Sequence, residues 1–129
     1  MTLINIFRAA ALAALALALL IAACGGDDAA DIDRTNPSIR GVVTEKNAGA
    51  SDNLGTILVK GEIEQDTDYD YASVRLTTDT AIFRSEGGEL AAAAFDDITI
   101  GSRVEAWFEG PVAESYPVQA TAGQIIVLE

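Results

Sequence analysis

The stretch Gly55-Thr56-Ile57-Leu58-Val59-Lys60-Gly61-Glu62-Ile63-Glu64 decides the fold. Ile57, Val59 and Ile63 fall on one side of a two-residue period, and Lys60, Glu62 and Glu64 fall on the other. That alternation is the mark of a half-buried strand. Gly61 sits on the apolar side, where a missing side chain predicts a bend or bulge of the kind small barrels need to close.

Neighbouring segments repeat the texture. Ile39 to Glu45 reads as a strand, ended by Lys46-Asn47-Ala48-Gly49 and a polar loop to Asn53. Tyr71 to Thr78 follows with Val74 and Leu76 inward, and Ala81 to Arg84 is a short strand or its continuation. The alanines of Glu89 to Asp97 suit a short helix, with Ile98-Thr99-Ile100-Gly101 as the turn after it. Arg103 to Glu109 alternates Val104, Ala106 and Phe108 against Arg103, Glu105 and Trp107. Val118 to Ala122 and Gln124 to Leu128 form a last pair, turning at Gly123. Five to six short strands with one brief helix predict an all-β domain over residues 38–129, a small OB-like barrel. An open β-sandwich is the alternative.

The N-terminal region is of another kind. Ala9 to Ala23 is an uncharged run of Ala, Leu and Ile preceded by Arg8. It is shorter than the roughly 20 residues of a membrane span but suits a helical signal peptide. Leu20-Ile21-Ala22-Ala23-Cys24 looks like the lipobox of a bacterial lipoprotein, so residues 1–23 are expected to be removed and Cys24 lipidated. Cys24 is the single cysteine; an unpaired thiol in an oxidising compartment is a liability that a thioether to lipid removes. Residues 24–37, with Gly25, Gly26, Asp27, Asp28, Asp31 and Asp33, read as the lipidated cysteine and an acidic, disordered tether. From Gly25 to Pro37 that tether would span about 45 Å fully extended and about 20 Å as a coil.

Charge and composition exclude several functions. Residues 24–129 hold all 20 acidic side chains and seven of the eight basic ones, a net charge of −13. Such a surface repels phosphate backbones, so nucleic acid is not an expected partner. The chain has no histidine, which removes the usual general base and the commonest metal ligand. Asp66-Thr67-Asp68-Tyr69-Asp70 alternates carboxylates as a calcium loop does. The helix–loop–helix pattern also requires Gly at its sixth place and Glu at its twelfth, where this chain has Tyr71 and Thr77. Asp66, Asp68 and Asp70 are therefore an incomplete ligand set in an acidic hairpin loop, and neither metal nor cofactor is expected.

Gly110-Pro111-Val112-Ala113-Glu114-Ser115-Tyr116-Pro117 reads as a loop between strands, stiffened by two prolines. A rigid loop carrying Glu114, Ser115 and Tyr116, with Gln119 just beyond and Trp107 beneath, is one way to build a recognition site on a barrel. The alternative on residues alone is that Tyr116 and Trp107 form a minor core and Glu114 caps backbone amides.

At Trp107-Phe108-Glu109-Gly110-Pro111, continuing through Val112-Ala113-Glu114-Ser115-Tyr116-Pro117 and Gln119-Ala120, the chain resembles the bacterial domain of unknown function 3221 family, small secreted proteins and lipoproteins. Gly41-Val42-Val43, Ile57-Leu58-Val59, Thr80-Ala81-Ile82-Phe83, Ala122 and Ile125 extend the resemblance over residues 38–128. It implies a small barrel outside the cytoplasm and supplies no activity. The expectation is a monomeric, lipid-anchored binding or accessory module of the cell envelope. It would be non-enzymatic, held to the cell membrane or outer membrane through Cys24, with an envelope protein or glycan as partner. The rivals are a carboxylate-based hydrolase of envelope polysaccharide and a structural spacer.

Overall fold

The computed structural model describes residues 32–128, and residues from Thr35 onward form one compact unit. The segment read as leader, Cys24 and most of the tether lie outside the described residues. Seven strands follow: β1 (Ile39–Ala48), β2 (Asn53–Gly61), β3 (Tyr71–Thr77), β4 (Ala81–Glu86), β5 (Glu89–Ala92), β6 (Arg103–Ala113) and β7 (Val118–Val127). The helical content of the barrel domain is a single 3₁₀ turn, Phe95–Asp97.

Five strands close on themselves. β1 pairs antiparallel with β2 and with β6, β2 with β3, and β6 with β7. A parallel pairing of β3 with β7, Ala72 opposite Val118 through Arg75 opposite Thr121, shuts the ring. The result is an all-β barrel of OB type, with β4 and β5 added as two further strands along the second half of β7. Closure leaves no free edge within the ring, the usual way for a small antiparallel sheet to avoid an exposed ladder.

Alternation places the core as expected. Ile57 and Val59 of β2 and Ala72, Val74 and Leu76 of β3 are buried, joined by Ile39, Val43, Val104, Ala106 and Ile125. Each such Ile, Leu or Val contributes about 1.5–3 kcal/mol by leaving water. Gly41 and Gly61 face each other across β1 and β2. A Cβ on Gly61 would run into the Arg40 carbonyl, and one on Gly41 into the Lys60 carbonyl. The two backbones approach this closely only because both positions lack a side chain, so the kink expected at Gly61 is a close crossing. β2 ends there, and Ile63, expected inward, is 63 % exposed.

Three other expectations change. Glu89–Ala92 is strand and not helix, because Gly87 and Gly88, both at positive φ, turn the chain back onto β4. β7 runs through Gly123 without a turn. Trp107 pairs with Gln124 and Phe108 with Ala122, leaving Gly123 as the extra residue of a bulge. There β7 bends and exchanges β3 for β4 as its neighbour. Finally, β6 extends through Gly110 and Pro111 to Ala113, with its pairing to β7 interrupted between Glu109 and Ala113. Proline, which cannot donate to a ladder, fits such an irregularity.

The connection from β3 to β6 is pinned by polar contacts. Buried Thr80 donates from Oγ1 to the Ala122 carbonyl at 2.7 Å and accepts from the Thr77 amide at 2.9 Å. Lys46 donates from Nζ to the Phe95 carbonyl at 2.9 Å and lies 4.4 Å from that ring's centroid. Phe95 packs against the core, and Ile98 is fully buried within it.

Candidate functional site

The outward positions of β2, β3 and β7 are set by the same alternation that buries the core. Thr56, Leu58 and Lys60 of β2 stand opposite Arg75, Ser73 and Tyr71 of β3. On the other side of β3, Ser73 lies beside Gln119 and Arg75 beside Thr121. β6 adds Glu109 opposite Thr121 and Ala113 opposite Gln119. An open groove of about 400 Å³ lies here, with Thr56, Ser73, Arg75, Gln119 and Thr121 as floor and Glu109, Pro111, Val112 and Ala113 as wall.

Polar capacity in this groove is unspent. The side chains of Arg75, Glu109, Gln119, Ser73 and Thr121 form no ion pair or side-chain hydrogen bond among the described residues. Glu109 is held close to β7, since a Cβ at Gly123 would lie 3.2 Å from its Oε2. A second hollow of about 710 Å³ lies among Lys46, Leu54, Ile82 and Phe95. Its cation is already committed to the Phe95 carbonyl, so the smaller groove offers more free polar chemistry.

The turn 114–117 stands at one end of the groove. Tyr116 is 71 % exposed, packs edge-on against Tyr71 with centroids 5.2 Å apart, and donates its hydroxyl to Asp70 at 3.3 Å. Desolvation, and then the charge of Asp70, hold its phenol above the ordinary value, so it stays a protonated donor at neutral pH. Lys60 Nζ lies 5.9 Å from the Tyr71 centroid. Ser115 Oγ donates to the Pro117 carbonyl at 2.7 Å, which shapes the turn, and Glu114 is exposed.

Residues 41–129 match the family model described as protein of unknown function (DUF3221). The chain belongs to that family. No curated protein and no solved structure matches it. The DUF3221 match begins inside β1 and takes in every later strand, so the groove and the 114–117 turn lie wholly within it.

On this DUF3221 barrel the residues singled out from sequence separate into groups. Glu114, Ser115, Tyr116 and Gln119 gather at the foot of the β6–β7 connection. Trp107 does not lie beneath them. Its backbone pairs with Gln124, five positions from Gln119 along β7, or about 16 Å of strand. Its indole Nε1 donates to the Thr35 carbonyl at 2.8 Å. The three aspartates are also spent separately. Asp66 pairs with Arg40 at 2.7 Å, Asp70 accepts from Tyr116, and Asp68 is exposed. Among the described residues no group of three or more acidic, histidine or cysteine side chains is placed to hold a metal.

Arg40 is the hub of the opposite wall of the barrel. It meets Glu64 at 2.9 Å, Asp66 at 2.7 Å and Glu105 at 2.8 Å. Hydrogen bonding to Asp66 foremost raises its pKa, and the same guanidinium holds the Asp66 carboxyl below the usual carboxylate value. This cluster is internally satisfied and offers a ligand little. Arg75, Ser73, Thr56 and Thr121 were not picked out from sequence. Their signal was there, as polar residues at alternate positions opposite a buried set, but which strands adjoin could not be read from one segment at a time.

Proposed function

We propose that this protein is a lipid-anchored, extracytoplasmic binding module of the bacterial cell envelope. It works by recognition and not by catalysis. The anchor reading is supported by Leu20 to Cys24 and the apolar run before it. The groove on the β2–β3–β7 face, flanked by exposed Tyr116, carries the recognition reading: it is concave, it holds unspent donors and acceptors, and it adjoins a rigid turn. OB-type barrels offer this face and the loop between their last two strands to ligands. Among the described residues Glu109 is the one carboxylate lining the groove, which supports recognition over the two-carboxylate chemistry of a glycoside hydrolase.

The test is site-specific photo-crosslinking in the producing cell. A photoreactive analogue replaces Gln119 in one strain and the exposed Ile100 in another, with fatty-acid labelling followed in both. Specific adducts from position 119 and not from position 100, on a chain whose label is lost in Cys24→Ala, are the expected result. Equal adducts from the two positions would refute the face, and labelling that survives Cys24→Ala would refute the anchor.

A further inference from the structure

We propose that the groove takes a short, electrically neutral oligosaccharide, laid along β3 and β7 with one sugar ring against Tyr116. This rests on the reading of that face as a binding surface and names its ligand class.

The first argument is charge. The chain as a whole carries −12, yet this face is balanced. Arg75 stands across Thr121 from Glu109 at one end, and Lys60 and Asp70 flank the tyrosine pair at the other. An acidic polymer would gain only local contact with Arg75 while meeting Glu109 and the repulsion of the whole chain. A cationic ligand would meet Arg75 on the groove floor and Lys60 beside Tyr71 at the tyrosine end. A neutral ligand is opposed by neither.

The second argument is hydrogen-bonding type. A sugar hydroxyl both donates and accepts, so its site must offer both. Arg75 donates only, Glu109 accepts only, and Gln119, Ser73 and Thr121 do both. The apolar C–H face of a pyranose needs an exposed aromatic ring to lie on. Tyr116 provides one, and its edge-on contact with Tyr71 holds it in place. From Tyr71 to Arg75 the face runs about 13 Å, room for more than one ring.

The third argument sets aside an extended peptide. Peptides that add to sheets need a free strand edge. Along this face β3 is paired on both sides, by β2 and β7, and β7 is paired by β3 and β6. The one break along the groove, in β6 between Glu109 and Ala113, is three residues long and includes Pro111, which has no amide to donate, so no continuous edge is open to a peptide.

The experiment is an NMR titration of the mature, folded chain with maltotriose, cellotriose and the trimer of N-acetylglucosamine, at up to about 10 mM, which detects affinities near 1 mM. The trimer of galacturonic acid is the charged control, and a peptide digest of envelope proteins is a separate arm. At least one neutral trimer is expected to shift amides of Ser73, Arg75, Gln119 and Thr121. Affinity is expected to fall tenfold or more in Gln119→Ala and Tyr116→Ala, each shown first to melt like the wild type. Tighter binding of the acidic trimer, or shifts on this face from the peptides and not from the neutral sugars, would overturn the oligosaccharide while leaving the face a binding surface. Sugar-induced shifts elsewhere on the barrel would overturn it too. No shift on this face from any arm would overturn both readings.

Discussion

Ile98→Ala tests how the barrel is closed where it lacks an α-helix. Ile98 is 0 % exposed, whereas Ile100, two residues on in the same connection, is 66 % exposed. The 3₁₀ turn aims Phe95 at the core, with its ring against Gly55, and the Ile98 amide donates to the Phe95 carbonyl at 3.1 Å. With Ile82 and Ala93, these two side chains are the apolar contribution of the β3–β6 connection to the core. Truncating a fully buried isoleucine to alanine costs about 2–5 kcal/mol, against a total stability of about 5–15 kcal/mol for a domain. A loss of about 3 kcal/mol would lower the melting temperature by about 12–24 °C in a domain of this size. Ile100→Ala, on the surface, should cost about 0.5 kcal/mol or less. Urea unfolding followed by circular dichroism and by the fluorescence of the single tryptophan measures both. Equal losses in the two variants, or a loss under about 1 kcal/mol in Ile98→Ala, would mean that Phe95 and Ile98 do not seal the barrel.

Two further predictions concern buried and paired polar groups. Thr80→Val keeps the side chain's shape but strands the Thr77 amide and removes a donor from the Ala122 carbonyl; a loss of about 1–3 kcal/mol is expected in the urea midpoint, and no loss would show that water replaces the hydroxyl. Arg40→Met leaves Glu64, Asp66 and Glu105 without their shared cation. Because Asp66 is held below its usual pKa in the folded chain, its contribution is present above the ordinary carboxylate range and lost as pH falls through the folded value. The stability gap between wild type and Arg40→Met should therefore be wide at about pH 7 and narrow towards about pH 2.5, and a gap that does not change with pH would refute the pairing.

The fold was legible where burial is one-sided. In β2 and β3 every second residue is buried, and the alternation of Ile57, Val59, Val74 and Leu76 carried that directly. It was illegible where composition and pairing disagree. Leu90, Ala91 and Ala92 have helix-forming side chains, but Glu86-Gly87-Gly88-Glu89 is a two-residue hairpin connection with both glycines at positive φ, and such a turn commits the following residues to a ladder. Turn chemistry outweighed propensity there. Ile63 was misplaced for a related reason. Its period was right, but β2 leaves the ladder at Gly61, and the Glu64 amide then turns onto Thr67 Oγ1 at 2.7 Å. Of the candidate site, the tyrosine end was readable because Tyr116 lies in a proline-bracketed turn. The groove was not, because its floor joins residues from β2, β3 and β7 that only the closed barrel brings together.

Gly123 links these two lessons. β7 gives Val118 and Ala122 and then Ile125 and Val127 to the barrel core, while Ile126 is buried outside that cluster, so the core-facing phase slips by one residue at the glycine. A turn and a bulge both produce that slip, and only a bulge lets the strand continue. Had β7 turned back at Gly123, a single strand could not have served β3 with its first half and β4 with its second. Glu109, whose side chain lies against Gly123, would also have lost its place beside Thr121. The barrel's acidic charge is therefore arranged unevenly for a structural reason. Three carboxylates converge on Arg40 where β1 meets β6. The parallel seam of β3 and β7 instead spaces one guanidinium and one carboxylate across a hydroxyl-lined floor. On the binding reading proposed above, the surrounding charge turns anions away and Arg75 on the floor opposes cations, which leaves shape and hydrogen bonding to select the ligand.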